Sequence, residues 1–157
     1  MTYLELSINL NKMDTRILLD LNVEEIMNKE IIHVDPKCSL YKVKNIFDGH
    51  NIHHLPVVDK EGYLRGMISK SDLFLLLDWG TRFGLEVSEK KNDFLIKSNL
   101  ASDIMVNNVV SLKIGDKVQK CLDIFKENYF RAMPVLDENN KFIGLITTYD
   151  LMIEAFK

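Results

Sequence analysis

Two stretches of this chain repeat one another at a fixed distance. Gly66-Met67-Ile68-Ser69-Lys70-Ser71-Asp72 returns 78 residues later as Gly144-Leu145-Ile146-Thr147-Thr148-Tyr149-Asp150. The same interval separates Met27 from Met105, Phe47 from Phe125, Pro56 from Pro134, Asp59 from Asp137 and Leu73 from Leu151. Ile26 to Leu73 thus aligns without a gap on Ile104 to Leu151. Register kept over that distance marks a tandem duplication. The fold must therefore be one that a chain can build twice.

One copy reads as β-α-β-β-α. Ile31-Ile32-His33-Val34 is a short apolar run, predicted as a strand and stopped by Asp35-Pro36. Leu40, Val43, Ile46 and Phe47 recur at helical spacing behind Ser39, a suitable N-cap. His54-Leu55-Pro56-Val57-Val58 predicts a buried strand. Asp59-Lys60-Glu61-Gly62 supplies turn chemistry, and Tyr63 to Ile68 returns as the second arm of a hairpin. Ser69 to Leu77 closes the copy as a helix. The second copy predicts a strand at Val109-Val110, then a helix carrying Val118, Cys121, Leu122 and Phe125. A strand from Met133 to Leu136, a turn at Glu138-Asn139-Asn140, a strand from Phe142 to Ile146 and a helix to Phe156 complete it.

Three strands and two helices cannot cover both faces of a sheet. Burial therefore predicts an α+β molecule in which the two copies pack through their sheets with pseudo-twofold symmetry. The expected boundaries are a helical lead-in over 1–21, a first repeat over 22–77, a connector over 78–99 and a second repeat over 100–157. In the connector, Ser88-Glu89-Lys90-Lys91-Asn92-Asp93 reads as a solvated loop. Trp79 and Phe83, four apart, read as core or dimer contacts, because no basic cluster surrounds them as a base-stacking platform would need.

Composition narrows the function. A net charge of −3 gives no general field for nucleic acid or an anionic membrane, so neither partner is expected. No apolar run approaches the ~20 residues of a bilayer span. Met1 to Leu10 lacks a basic start and a small-residue cleavage site, so a cytoplasmic protein is expected. Cys38 lies in a loop and Cys121 on an apolar helical stripe, which predicts two reduced thiols. Met27, Met67, Met105, Met133 and Met152 read as core filling. No nucleophile elbow, phosphate-loop lysine or metalloprotease histidine pair occurs, and the aspartates have no nucleophile–base partnership, so no enzymatic activity is expected.

The recurring order is Ile-Met, a strand, an amphipathic helix, a strand through Pro-Val, a hairpin and Gly-x-Ile-Ser/Thr-x-x-Asp-Leu. It resembles the CBS domain, the small regulatory domain named after cystathionine β-synthase. The resemblance covers roughly residues 22 to 157 and occurs twice in register. It implies a stand-alone CBS pair whose clefts bind an adenosine-containing effector, of the AMP, ADP, ATP or S-adenosylmethionine type, with no obligatory cofactor. In such members the aspartate takes the ribose hydroxyls and the Ser or Thr helps hold ribose or phosphate, while the other copy supplies the remaining contacts. Carried over, one cleft joins Ser69 and Asp72 to Val109, Val110, Arg131, Ala132 and Pro134. The other joins Thr147 and Asp150 to Ile31, Ile32, His53, His54 and Pro56. A homodimer, and an effector protein that the sequence does not identify, are further implications.

The chemistry suits those roles. A carboxylate accepts two hydrogen bonds at once, matching vicinal hydroxyls. Free amides at a helix start favour phosphate. Arg131 offers bidentate phosphate binding, and His53 or His54 a weaker version that improves on protonation, so the charged nucleotide is expected at the Asp72–Arg131 cleft. Two other readings stand beside this one. Ser/Thr-x-x-Asp is also an ordinary helix cap worth about 1 kcal/mol, which would leave a structural dimer with empty clefts. His50 and His53 with Cys38 suggest a metal- or redox-responsive module, provided the helix carries on past Asn51.

Overall fold

A computed structural model of the 157-residue chain describes residues 15–78, 85–128 and 130–156. Expectations that fall on Met1–Leu10, Trp79 and Phe83 lie outside the described residues. The chain divides into two compact units, one running from Ile32 to Val109 and the other combining the chain up to Ile31 with Val110 onward.

In the Ile32–Val109 unit, helix α3 (Leu40–Gly49) starts where Ser39 leaves extended backbone. The Ser39 hydroxyl accepts from the Lys42 amide at 3.4 Å, the predicted cap. Strands β1 (His54–Val58) and β2 (Leu64–Ser69) form the antiparallel hairpin, with His54 opposite Ser69 and a bulge at Val57/Val58. Gly62 turns the corner at φ 92°, and its counterpart in the other copy, Asn140, does so at φ 61°. These are the residue types that tolerate the left-handed region. Helix α4 (Lys70–Asp78) follows β2 at once. Leu40, Val43, Phe47, Leu55, Val57, Ile68, Leu73 and Leu77 form the core, with Ile96 and Ala101 from further along the chain.

The other unit repeats the plan. Helices α1 (Thr15–Asp20) and α2 (Val23–Ile26) lead in. Strand β3 (Leu112–Lys113) runs parallel to β4 (Ala132–Leu136), which pairs antiparallel with β5 (Phe142–Thr147). Helix α7 (Val118–Asn128) joins β3 to β4, and helix α8 (Thr148–Ala155) closes the unit. Leu18, Val23, Leu112, Val118, Cys121, Phe125, Met133, Val135, Ile146 and Leu151 are its core.

Three local expectations need correction. The Ser88–Asp93 stretch is not a loop but part of helix α5 (Leu85–Ser98). No glycine or proline interrupts these residues, Asp93 and Lys97 pair across one turn at 2.8 Å, and Ile96 is buried beneath them. The first strand is shorter than its apolar run in one copy and later than it in the other. Val34 alone makes a parallel bridge to Val57, because a turn that closes Cys38 N–H onto the Asp35 carbonyl follows immediately. In the second copy the strand is Leu112–Lys113, not Val109–Val110. Met152 is 48% exposed, whereas Met67 and Met133 are buried as expected.

Each unit is completed by a segment from the start of the other repeat. Asn28 pairs with Leu145 at the edge of β5, their amides and carbonyls exchanging bonds of 2.9 and 3.0 Å. Helix α6 (Ala101–Ile104) delivers Val106 to Met67 on β2 in the same way. The approach is close enough to require glycine: a Cβ on Gly66 would lie 2.7 Å from the Val106 carbonyl oxygen. One on Gly144 would lie 2.7 Å from Met27 Sδ and 2.8 Å from the Asn28 carbonyl oxygen. The Ile-Met step and the glycine, both part of the repeat, are thus two sides of one contact.

Candidate functional site

Both Ser/Thr-x-x-Asp segments are strand-to-helix turns of nearly the same geometry. Thr147 ends β5 in extended backbone and caps α8: its Oγ1 accepts from the Asp150 amide at 3.2 Å and donates to Asp150 Oδ2 at 2.6 Å. The Thr147 amide donates to the same Oδ2 at 2.7 Å, completing a capping box. Ser69 ends β2, and its Oγ likewise accepts from the Asp72 amide at 3.1 Å and donates to Asp72 Oδ2 at 2.6 Å. Asp72 is exposed and Asp150 half-buried. In both turns the Oδ1 oxygen makes no hydrogen bond among the described residues.

Hairpin register decides what lies beside each turn. His54 faces Ser69, and the Lys70 amide donates to the His53 carbonyl at 2.9 Å. Ala132 faces Thr147, and the Thr148 amide donates to the Arg131 carbonyl at 3.2 Å. The residues just before Pro56 and Pro134 therefore adjoin the turn of their own copy. His53 is exposed and His54 half-buried beside Ser69–Asp72; Arg131 is exposed and Ala132 buried beside Thr147–Asp150. Pro56 and Pro134 are buried within β1 and β4.

The predicted pairing of Asp72 with Arg131 spans the two units, as does that of Asp150 with His53 and His54. Inside the units, the Arg131 and His53 backbones adjoin the Asp150 and Asp72 turns. Ile31 and Ile32 fall on either side of the boundary between the units, as do Val109 and Val110. All four precede the observed strands, with Ile32 and Val110 exposed and Ile31 and Val109 half-buried. The own-copy neighbours were open to sequence reasoning. A turn at Asp59–Gly62 followed by a strand to Ser69 places residue 54 opposite residue 69, and counting from the Glu138–Asn140 turn places 132 opposite 147.

The metal or redox reading finds no assembled centre. Helix α3 ends at Gly49, with His50 as its C-cap in extended backbone, so the helical spacing that would join His50 to His53 is not formed. No group of three His, Cys, Asp or Glu side chains suited to a metal ion occurs among the described residues. Both cysteines are free thiols, Cys38 half-buried and Cys121 buried. Burial, with the nearby Asp150 charge, pushes the Cys121 thiol up to about 12. No helix among the described residues is long and apolar enough to cross a membrane.

This duplicated α+β plan with its twin turns is that of a CBS pair, and comparison with known proteins bears it out. The CBS domain family matches residues 23–78 and again 101–156. The chain belongs to the CBS domain family. A CBS domain-containing protein of Dictyostelium discoideum is 30% identical over 132 residues, covering 83% of this chain and 88% of its own. Inosine-5'-monophosphate dehydrogenase of Methanocaldococcus jannaschii is 26% identical over 129 residues, which cover 82% of this chain but 22% of the dehydrogenase. Among solved structures, protein MJ1225 from M. jannaschii superposes with a TM-score of 0.73 at 29% identity, over 88% of this chain and 51% of that one. CBSX2 in complex with AMP gives 0.69 at 23% identity, over 85% of this chain and 95% of that one. Protein MJ0100, in complex with 5'-methylthioadenosine and S-adenosyl-L-methionine, gives 0.68 at 24% identity, over 85% and 98%. These last two likenesses are of fold.

Proposed function

We propose that the chain is a regulatory module, not a catalyst, and that it binds an adenosine-containing ligand at its two Ser/Thr-x-x-Asp turns. The observation that carries this reading is the divided carboxylate. In each turn Oδ2 is committed to the hydroxyl, while Oδ1 has no partner among the described residues and the side chain reaches solvent. That open oxygen accepts one ribose hydroxyl, and release of the Ser or Thr hydroxyl from Oδ2 lets the carboxylate accept the second. AMP bound to CBSX2, and the adenosine compounds bound to MJ0100, suit the same chemistry.

The two turns differ in what adjoins them. Arg131 beside Thr147–Asp150 favours a phosphate-bearing ligand, because a guanidinium holds two phosphate oxygens at once. His53 and His54 beside Ser69–Asp72 favour a ligand with less charge, or one bound more tightly as the imidazoles protonate. Signalling follows by population shift: the ligand favours one arrangement of the module, and an effector protein or a second copy of the chain responds to it. A homodimer of this chain in the cytoplasm is part of the proposal.

The committed Oδ2 also favours a second reading, in which the turns serve only as helix caps. A thermal-shift panel of AMP, ADP, ATP, adenosine and S-adenosylmethionine separates the two. A ligand at 100 times its dissociation constant should add about 2.7 kcal/mol of stability. The proposal expects such a shift with at least one of these compounds, weakened in Asp72→Ala or Asp150→Ala. The capping reading expects both variants to lose about 1 kcal/mol of basal stability with no nucleoside response in any form.

A further inference from the structure

At the end of the β1–β2 hairpin away from Ser69, the Ile32–Val109 unit holds an open groove of about 460 Å³. Its lining includes Lys37, Lys42 and Lys60 together with Cys38, Asp35 and Asp59. Of the two carboxylates, Asp59 is ion-paired, whereas Asp35 accepts from a backbone amide and keeps its charge. Asp59 Oδ2 lies 2.6 Å from the Arg65 guanidinium while Oδ1 accepts from the Tyr63 amide, and Asp35 Oδ1 accepts from the Lys37 amide. The three ammonium groups have no ion pair or hydrogen bond among the described residues. In a chain of net charge −3, three such lysines beside the one carboxylate of Asp35 leave a local excess of positive charge.

The duplication supplies an internal comparison. The counterpart of Lys42 is Lys120, and the counterpart of Cys38 is Asp116. There the carboxylate fills the place: Lys120 Nζ donates to both Asp116 oxygens at 2.8 Å, and the Lys113 amide donates to Oδ2 at 2.8 Å. In the first copy a thiol stands where that carboxylate is. Three neighbouring changes run the same way, with Lys37 in place of Gly115, Lys60 in place of Glu138 and Arg65 in place of Ile143, and one runs against them, with Asp35 in place of Lys113. Three lysines and an arginine therefore face two carboxylates, where the other copy sets two lysines against three.

We propose that this groove binds a small anion carrying two or more charges, of the pyrophosphate class, whose oxygens take the place that Asp116 fills in the second copy. Lys42 is its central partner, and Lys37 and Lys60 close on it from the rim. The site lies at the opposite end of the hairpin from the Ser69–Asp72 turn and is independent of the adenosine reading.

Titration calorimetry of the full chain with pyrophosphate, at low and at physiological salt, tests this. Binding is expected, weaker at the higher salt because the lysines are exposed. Lys42→Gln should raise the dissociation constant about fivefold, the effect of a pair worth roughly 1 kcal/mol. Cys38→Asp should abolish binding by giving Lys42 the partner that Lys120 has. Asp72→Ala and Asp150→Ala should leave it unchanged, which separates this site from the adenosine turns. Cys38 gives a second readout in the unaltered chain: pyrophosphate should slow its alkylation by iodoacetamide, with the buried Cys121 silent. No binding of pyrophosphate, affinity unchanged in Lys42→Gln, or alkylation of Cys38 at an unaltered rate would each overturn the proposal.

Discussion

Gly66 and Gly144 have side chains of one hydrogen because another segment of backbone lies against them. In Gly66→Ala the new methyl meets the Val106 carbonyl oxygen, which is held by its own bond to Met67 and cannot swing aside. Overpacking of this kind costs about 1–3 kcal/mol, and the loss should appear in urea unfolding as a lower midpoint with an unchanged slope. Gly144→Ala should cost a similar amount, because the Asn28 carbonyl oxygen lies 2.8 Å from its new methyl and is likewise held by the Leu145 amide. Acid stability is set at the same scale. Slight burial works to raise the Asp59 carboxyl, but the Tyr63 amide and the Arg65 guanidinium outweigh it and hold the group below its ordinary value. Asp116 is lowered likewise: burial works against ionisation, and the Lys113 amide and Lys120 overcome it. A depressed folded value means both contributions are complete above the unfolded value of about 3.9 and are lost as pH falls below it toward the folded value. Unfolding measured at pH 5 and pH 3 should therefore differ less in Asp116→Asn than in the unaltered chain.

At the scale of elements, the hairpins and their flanking helices were legible because each rests on local chemistry. Asp59–Gly62 and Glu138–Asn140 turn the chain, Ser39 and Thr147 cap, and the apolar spacing of α3 and α7 marks the buried face. The first strands were not legible, because Ile31–Ile32 and Val109–Val110 are apolar yet lie outside the paired residues. Only the geometry of the Asp35–Cys38 turn and of Leu112 opposite Val135 fixes where the ladder begins. Helix α5 was misjudged from its charge. Asp93 and Lys97 form a solvated helical face over Ile96, and a run of charges alone cannot separate such a face from a loop. The turns themselves were plain in the sequence, and hairpin counting adds the own-copy neighbours His53 and Arg131 to them, whereas the expected cross-copy partners span the two units. Arg131→Ala should accordingly weaken a phosphate-bearing ligand more than adenosine, measured as the ratio of their dissociation constants.

At the scale of the whole molecule, sequence repeats and compact units do not coincide. Residues 22–77 form one repeat, yet the core around Phe47 includes Ile96 and Ala101, and β2 is edged by Val106. A fragment of 22–77 should fail to unfold cooperatively, while one of 32–109 should show a two-state transition by circular dichroism. The exchange of Ile-Met segments also explains why a chain of this plan carries the repeat twice: each copy leaves an edge that the other copy's lead-in covers. Ligand recognition at the two turns is the central claim, and titration calorimetry with AMP on the full chain tests it most directly. Saturable binding that disappears in the Asp72→Ala, Asp150→Ala double variant, with that variant still folded by circular dichroism, is the predicted result. AMP binding of undiminished affinity in the double variant would contradict it.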